Sequence, residues 1–293
     1  MREFLLGTLV VDGIETPAVR IEDNAYKLSD LWSGEKAPAS IMALLEAGPD
    51  AMQKLAASVS EFTGDAHPIE GSFAPPVLAP AKLICIGNNY SEHVSEMNSK
   101  GIMKFPYSFM RPTTSLSAHE QDIALPEGVV DIDWEAELGV VMGSRVRGVS
   151  AAEALEAVAG YTVINDISAR DWIKERPAVG TDWVMQKAWD DFQPTGPWIK
   201  PSLFVPNPQN LDISLTVNGV VKQSSNTKYM IFGVAAIIEH LSRIMTLEPG
   251  DIIATGTPSG VGFARTPPEF MKAGDVVKVT IQGLGELENR LVR

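Results

Sequence analysis

Polar and apolar residues alternate strictly over residues 131–138, the pattern of a β-strand with one polar and one apolar face. The alternating segment is followed directly by an apolar run over residues 138–142. All four residues on the polar face are carboxylates: Asp131, Asp133, Glu135 and Glu137. Because like charges this close repel one another, water or a cation must lie against that face. The pattern is typical of either a solvated strand face or a divalent-metal site that uses two of the four acids.

Apolar periodicity over the rest of the chain predicts many strands and few helices. The dipeptides Asp12-Gly13 and Asn218-Gly219 each separate two apolar runs, which predicts two β-hairpins. Helical spacing and capping signals predict helices over residues 39–47, 50–62, 150–160 and 231–245. Since strands and helices do not alternate regularly, the sequence favours an α+β fold over a doubly wound sheet.

A segment rich in proline, glycine and alanine, residues 71–80, is typical of a linker. We place a domain boundary near residue 76. The chain then has a small N-terminal domain of mixed strands and helices with its linker, residues 1–76, and a main domain, residues 77–293. The length of 293 residues allows such a pair.

Composition narrows the possible partners. The net charge is −13 and no basic stripe is present, which argues against nucleic acid as a partner. The single cysteine, Cys85, excludes an internal disulfide and lies in an apolar run that is typical of core. The first residues lack the apolar core of a signal peptide, and the longest apolar run, 229–238, is too short for a bilayer. We therefore expect a cytoplasmic protein with no membrane partner.

A second acidic position follows an apolar strand segment, residues 161–164, at Asp166. If the two strands adjoin, Glu135, Glu137 and Asp166 form a ligand set of oxygen atoms only. Such a set suits Mg²⁺, Mn²⁺ or Ca²⁺ and not zinc. The spacing does not choose among the four acids of the first strand, so Asp131 and Asp133 remain alternative ligands.

Three further features have both a chemical and a structural interpretation. His93 and Glu96 lie three residues apart on a short helix that Ser91 is expected to cap, either as a general-base pair or as a surface pair. Lys187 lies in an apolar, aromatic stretch, where it is either a cation of the site or a surface lysine with a buried stem. The glycine-rich residues 255–262 form either a carboxylate-binding loop or a tight connection.

Taken together, these segments resemble the fumarylacetoacetate hydrolase family over roughly residues 80–293. The matching elements are Gly87-Asn88-Asn89-Tyr90 with His93 and Glu96, then Asp133-Trp134-Glu135-Ala136-Glu137-Leu138, Asn165-Asp166-Ile167-Ser168-Ala169-Arg170-Asp171, Lys187 through Gly196-Pro197-Trp198, and Thr255-Gly256-Thr257-Pro258-Ser259-Gly260-Val261-Gly262. The sequence departs from the family pattern at Asn88, Arg111 and Gln193. Arg111 stands where the family commonly has lysine, and these three departures bear on substrate choice.

The resemblance implies a β-rich mixed-sheet roll or sandwich, a homodimer, and a Mg²⁺ or Mn²⁺ cofactor. It implies that the metal ligands are Glu135, Glu137 and Asp166. It implies a water-activating pair, His93 and Glu96, on a lid over the substrate, with Lys187 as a further catalytic residue. The expected substrate contacts are Arg111, Arg170, Gly256 and Thr257.

The activity implied by the resemblance is hydrolysis of a carbon–carbon bond in a 2,4-dioxo acid, such as an acylpyruvate or fumarylpyruvate. The alternative is isomerisation of a 2-hydroxyhepta-2,4-diene-1,7-dioate or decarboxylation of an oxaloacetate-like acid. A hypothesis of another class is a binding or scaffold protein in which Ca²⁺ stabilises the acidic strand. That hypothesis explains the carboxylates but gives no role to His93, Glu96 and Lys187.

Overall fold

The computed structural model describes residues 1–97, 103–175 and 178–293. Within these residues, strands outnumber helices and assemble into a large mixed sheet, a five-stranded sheet and a two-stranded ribbon. This arrangement confirms the predicted β-rich α+β class.

The N-terminal segment begins with a hairpin and continues into three helices. Asp12 and Gly13 connect the first two strands with φ of 51° and 77°, which are the left-handed values that a tight hairpin turn requires. The elements are β1 (Leu5–Val11), β2 (Ile14–Ile21), β3 (Asn24–Lys27), α1 (Leu28–Leu31), α2 (Ile41–Glu46), α3 (Pro49–Glu61) and β4 (Ser72–Ala74). The predicted helices over 39–47 and 50–62 are thus confirmed as α2 and α3.

The remainder of the chain is mostly strand. Its strands are β5 (Leu83–Gly87), β6 (Tyr107–Arg111), β7 (Leu116–Ser117), β8 (Asp122–Ala124), β9 (Ile132–Asp133), β10 (Ala136–Met142), β11 (Val158–Asn165), β12 (Ser168–Ala169), β13 (Gln193–Pro201), β14 (Asp212–Val217), β15 (Val220–Asn226), β16 (Ile252–Ala254), β17 (Val276–Ile281) and β18 (Gly285–Val292). Its α-helices are α4 (Ser91–Glu96), α5 (Trp183–Lys187) and α6 (Val234–Ile244). Short 3-10 helices cover Thr113–Ser115, Ala154–Ala157, Asp171–Glu175, Ser202–Phe204 and Thr227–Tyr229.

The large sheet has the strand order β3-β2-β1-β13-β11-β10-β16-β5-β6, with β4 paired to β1 and β7 to β13. Strand β10 lies near its middle, antiparallel to β11 and β16. Every residue of β10 is buried, because both faces of the sheet are covered. This explains why residues 138–142 form an uninterrupted apolar run instead of alternating.

Two apolar cores flank the large sheet. One face packs on α6 and on the second sheet, which has the order β15-β14-β17-β18-β8; Val140 belongs to this core. The other face packs on helices α1 to α3, and Val141 belongs to that core. Strand β1 also joins the large sheet by pairing with β13, where Leu6 lies opposite Ile199. The division of the chain at residue 76 stays a prediction.

Two local predictions are wrong. The helix expected over residues 150–160 is only the 3-10 turn Ala154–Ala157, since Ser150 donates to the Glu153 carboxylate (2.6 Å) and the apolar residues beyond pair with β10 as strand β11. The acidic strand is interrupted at Trp134 and Glu135: β9 pairs with β12, whereas β10 pairs with β11. Among the helices described, none is long and apolar enough to cross a membrane.

Candidate active site

The three acids expected to bind metal come together where strand β10 begins and strand β11 ends. Ala136 lies opposite Asn165 in this antiparallel pair, and the N–H of Asp166 donates to the carbonyl of Glu135 (2.8 Å). Carboxylate oxygens of Glu135, Glu137 and Asp166 consequently lie within 4.8 Å of one another, and all three side chains are buried. Strand pairing therefore selects a ligand set that the spacing alone left open.

Asp133 has a different place. Its carboxylate accepts the backbone N–H groups of Gly262 (2.6 Å) and Phe263 (3.1 Å), so it holds the end of the glycine-rich loop. A Cβ at position 262 would lie 1.9 Å from the carbonyl oxygen of Glu269, which is why a glycine is required there. Asp133 thus supports the loop, and the described cluster of candidate metal ligands does not include it or Asp131.

Three buried cations, Lys187, Arg170 and Arg111, neutralise part of the acidic cluster. Lys187 Nζ lies 2.7 Å from Glu135 Oε2 and 2.5 Å from Asp166 Oδ2, and its residue is only 2% exposed. Arg170 reaches the other oxygen of Glu135 (2.5 Å) and also Asp133 (3.1 Å). Burial raises the pKa of Glu135, but Lys187 and Arg170 more than offset it and bring that pKa to about 2. Lys187 is therefore not a surface lysine, because it lies inside the site.

The cluster still carries excess negative charge. Burial raises the pKa of Glu137 well above its usual value, and the neighbouring Asp166 and Glu135 raise it further. In the described part of the chain, the Glu137 side chain accepts one hydrogen bond, from the N–H of Gly256 (2.8 Å). A buried carboxylate with so little compensation is stabilised by a cation, and a set of carboxylate oxygens is the set that Mg²⁺ and Mn²⁺ prefer. The residues present therefore fit a divalent ion.

The predicted His–Glu pair is formed on helix α4. His93 Nδ1 and Glu96 Oε1 are 2.7 Å apart, and His93 is 5% exposed. The other oxygen of Glu96 accepts the N–H of Gly260 (2.9 Å), which ties the helix to the glycine-rich loop. The residue that precedes the helix as its N-cap is Tyr90 and not Ser91, and no side chain caps the first turn. The pair thus joins a buried histidine to a half-buried glutamate that is tied to the loop, which differs from a solvated surface pair.

A cavity of about 530 Å³ joins these groups. His93, Glu135, Glu137, Asp166, Arg170, Lys187 and Thr257 contribute to its wall. Tyr107, Phe109, Trp172, Trp183 and Phe263 form much of the remainder. The cavity therefore has an acidic and cationic part, where the candidate base meets the candidate metal ligands, and an aromatic part.

The expected substrate contacts divide into two groups. Arg170 and Thr257 line the cavity, and the Thr257 hydroxyl accepts a hydrogen bond from Gln223 (2.8 Å). Arg111 and Gly256 support metal-ligand candidates instead: Arg111 donates to Asp166 (2.6 Å), and its side chain is fully buried behind it. Their role as substrate contacts stays a prediction, but the structure gives both a supporting position outside the cavity wall.

Two residues that support the site, Gln223 and Asn89, were given no role from the sequence. Gln223, on strand β15, accepts the N–H of Ala136 (2.9 Å) and also donates to the Pro258 carbonyl (2.8 Å). Asn89 donates to the carbonyl of Thr255 (2.7 Å) and so anchors the start of the glycine-rich loop. Asn89 lies in one of the motifs that the sequence analysis quoted, so its role could have been sought there. No motif contains Gln223, so nothing in the sequence pointed to it.

Comparison with known proteins identifies the family of this chain. The family model described as the C-terminal part of fumarylacetoacetate (FAA) hydrolase matches residues 82–292. The chain belongs to the fumarylacetoacetate hydrolase family, as its motifs predicted.

Relatives within this family have different activities. The chain is 38% identical over 255 residues to a mitochondrial oxaloacetate tautomerase of Xenopus laevis, covering 87% of this chain and 79% of that protein. Its fold is similar to that of a fumarylacetoacetate hydrolase from Exiguobacterium antarcticum, with a TM-score of 0.83, 31% identity and 99% of both chains covered. It is also similar to a 2-hydroxyhepta-2,4-diene-1,7-dioate isomerase from Mycobacterium marinum (TM-score 0.73, 32% identity, 99% of this chain and 98% of that one).

Proposed function

We propose that this chain is a metal-dependent enzyme that hydrolyses a carbon–carbon bond in a 2,4-dioxo acid of the acylpyruvate class. The observation that carries the proposal is that His93, which Glu96 holds through Nδ1, lines the same cavity as the three-carboxylate cluster. A divalent ion held by Glu135, Glu137 and Asp166 would supply Lewis-acid stabilisation to an enolate that forms next to a carboxylate.

The residues of the chain have separate roles in this proposal. Glu96 holds His93 through Nδ1, which leaves Nε2 as the ring atom that accepts a proton from water. The resulting hydroxide attacks the distal carbonyl carbon, the bond between this carbon and C3 breaks, and its electron pair remains on the pyruvate fragment. The proton taken by His93 then returns to that fragment, so an acylpyruvate and water yield one carboxylic acid and pyruvate. Lys187, between Glu135 and Asp166, offsets negative charge that develops beside it.

A second candidate is keto–enol tautomerisation of an oxaloacetate-like acid. The observation that favours it is the identity of 38% over 87% of this chain to a protein named as an oxaloacetate tautomerase. In that reaction, His93 moves a proton between the enol oxygen and C3, and no water is consumed. The cavity of about 530 Å³, which has room for a substrate longer than oxaloacetate together with a water, supports the first candidate.

A panel of substrates separates the two candidates. Acylpyruvates, oxaloacetate and 2-hydroxy-dienoates are incubated with the enzyme and Mg²⁺, Mn²⁺ or chelator, and the products are followed by NMR. Hydrolysis gives two acids from an acylpyruvate, tautomerisation changes only the enol fraction of oxaloacetate, and a decarboxylase releases CO₂. Metal-independent turnover, or no turnover of any of these acids, would contradict the proposal.

The expected homodimer also stays a proposal, which sedimentation would test.

A further inference from the structure

We infer that the aromatic part of the cavity is a binding site for an apolar alkyl or aryl group at the distal end of the substrate. This inference rests on the proposed function, because it takes the acidic cluster as the site of the 2-oxo acid end. It adds the chemical class of the remaining part of the substrate, which the fold and the candidate catalytic residues do not specify.

The aromatic site is built where strand β6 meets helix α5. Tyr107 and Phe109 are two residues apart on β6, so both side chains project from the same face of the strand. The rings of Phe109 and Trp183 stack with centroids 4.0 Å apart and planes inclined by 1°. The indole N–H of Trp183 donates to the Tyr107 hydroxyl (3.3 Å), which fixes the second ring beside the first pair. These three side chains form a rigid apolar wall.

Helix α5 fixes the distance between this wall and the acidic cluster. Trp183 is at its first position and Lys187 at its last, so the two residues are one turn apart on the same face, about 6 Å along the helix. Lys187 Nζ contacts Glu135 and Asp166, and it lies 5.9 Å from the centre of the Phe109 ring. The wall therefore lies directly beside the acidic cluster, where the distal end of an acylpyruvate held by its 2-oxo acid end would reach it.

The charges along the cavity favour an apolar group over a second carboxylate. Among the described residues that line the cavity, the lysine and arginine side chains are Lys187 and Arg170. Both are committed to the acidic cluster, with oxygen atoms of Glu135 within 2.7 Å of each. Near Tyr107, Phe109 and Trp183, the described wall therefore offers a carboxylate no uncommitted cation, and burying a carboxylate there would be unfavourable.

Gly87 keeps the space in front of this wall open. A Cβ at this position would lie 3.3 Å from the ring of Tyr107 and 3.9 Å from that of Trp183. A larger side chain at Gly87 would therefore occupy the space that we assign to the substituent. This provides a second way to test the site that does not require the removal of a ring.

The test measures binding of 2-oxo acids that lack a 4-carbonyl group and so cannot be hydrolysed. Dissociation constants of the Mn²⁺-loaded enzyme are measured by calorimetry for pyruvate, 2-oxohexanoate, 4-phenyl-2-oxobutanoate and 2-oxohexanedioate. Burial of each methylene contributes about fourfold in affinity. We expect 2-oxohexanoate and the phenyl acid to bind at least tenfold more tightly than pyruvate. The dicarboxylate, which has the same number of carbon atoms as 2-oxohexanoate, should bind more weakly than it does.

Two variants locate the effect. Trp183→Ala and Gly87→Val should each reduce the preference for 2-oxohexanoate over pyruvate to threefold or less, with the affinity for pyruvate unchanged. Trp32→Ala, which alters a tryptophan outside the cavity, should keep the full preference. The dicarboxylate binding most tightly, or an unchanged preference in both variants, would overturn the inference and leave the proposed function in place. Failure of every 2-oxo acid to bind, pyruvate included, would overturn both.

Discussion

Replacement of Lys187 by methionine tests the electrostatics of the acidic cluster through stability. The substitution keeps the length of the side chain but removes the charge between Glu135 and Asp166, whose oxygens are 2.7 and 2.5 Å from Nζ. Because removal of one partner from a buried ion pair leaves an uncompensated charge, the expected loss is about 3–5 kcal/mol. For a chain of this length, such a loss lowers the melting temperature of the metal-free protein by roughly 5–8 °C.

A divalent ion should compensate for the missing charge. Ligands that bind only the folded state stabilise it by mass action, and the more negative cluster of the variant binds a dication more tightly. Mn²⁺ should therefore raise the melting temperature of Lys187→Met by more than it raises that of the unaltered protein. Both values come from thermal unfolding followed by circular dichroism, with chelator and with saturating Mn²⁺.

A matched lysine provides the control. Lys200 is also largely buried, but its partner Glu3 (2.6 Å) has a side chain that is 59% exposed. Loss of a pair with an exposed partner costs about 1 kcal/mol or less, so Lys200→Met should change the melting temperature little and should not alter the response to Mn²⁺. Equal metal-free stability of Lys187→Met and the unaltered protein, or equal stabilisation of both by Mn²⁺, would refute the reasoning.

Three further predictions concern the same site. Glu135→Ala should abolish Mn²⁺ binding measured by calorimetry, whereas Asp133→Asn should retain it because Asp133 supports the loop at Gly262; tight binding by the first variant would remove the proposed site. His93→Ala should keep Mn²⁺ but lose turnover by about 10²–10⁴-fold, as expected for loss of a general base, and a nearly normal rate would mean that the His–Glu pair is idle. The pKa of Glu137 is raised above its usual 4.5, so its proton stabilises the metal-free fold at low pH, and this contribution is lost as pH rises through the raised value. Since the ion displaces that proton, Mn²⁺ affinity should increase with pH above about 4.5; a pH-independent affinity at constant ionic strength would contradict this assignment.

The sequence predicted the chemical residues better than the local structure around them. Glu135 and Glu137 were identifiable because alternation put them on one face, and Asp166 because an acid ended an apolar strand. Asp133 shares their parity in the sequence but supports the loop at Gly262 and Phe263. That difference arises because the strand is interrupted between β9 and β10. The interruption occurs because β9 pairs with β12 and β10 pairs with β11, and no residue near it in the sequence indicates this.

Residues that support the site from distant parts of the chain could not be predicted. Gln223 lies 87 positions from Ala136, whose N–H it accepts, and nothing in its own segment indicates that partner. Arg111 was expected at the substrate because of the family resemblance, but its contact with Asp166 depends on where β6 ends relative to β11. The aromatic wall likewise depends on the approach of α5 to β6, because Phe109 and Trp183 are brought together only by the fold.

The pairing of β1 with β13 has a consequence for expression of shorter versions of this protein. Every residue of the proposed site lies beyond residue 82. A shortened protein that begins at residue 82 would therefore still contain the whole site. Such a fragment would leave β13 without its neighbour β1, whose Leu6 lies opposite Ile199, and would uncover the apolar face now covered by α2 and α3. A bare strand edge beside uncovered apolar surface promotes self-association. We therefore expect the amino-terminal segment to limit self-association, although none of the proposed site residues belongs to it.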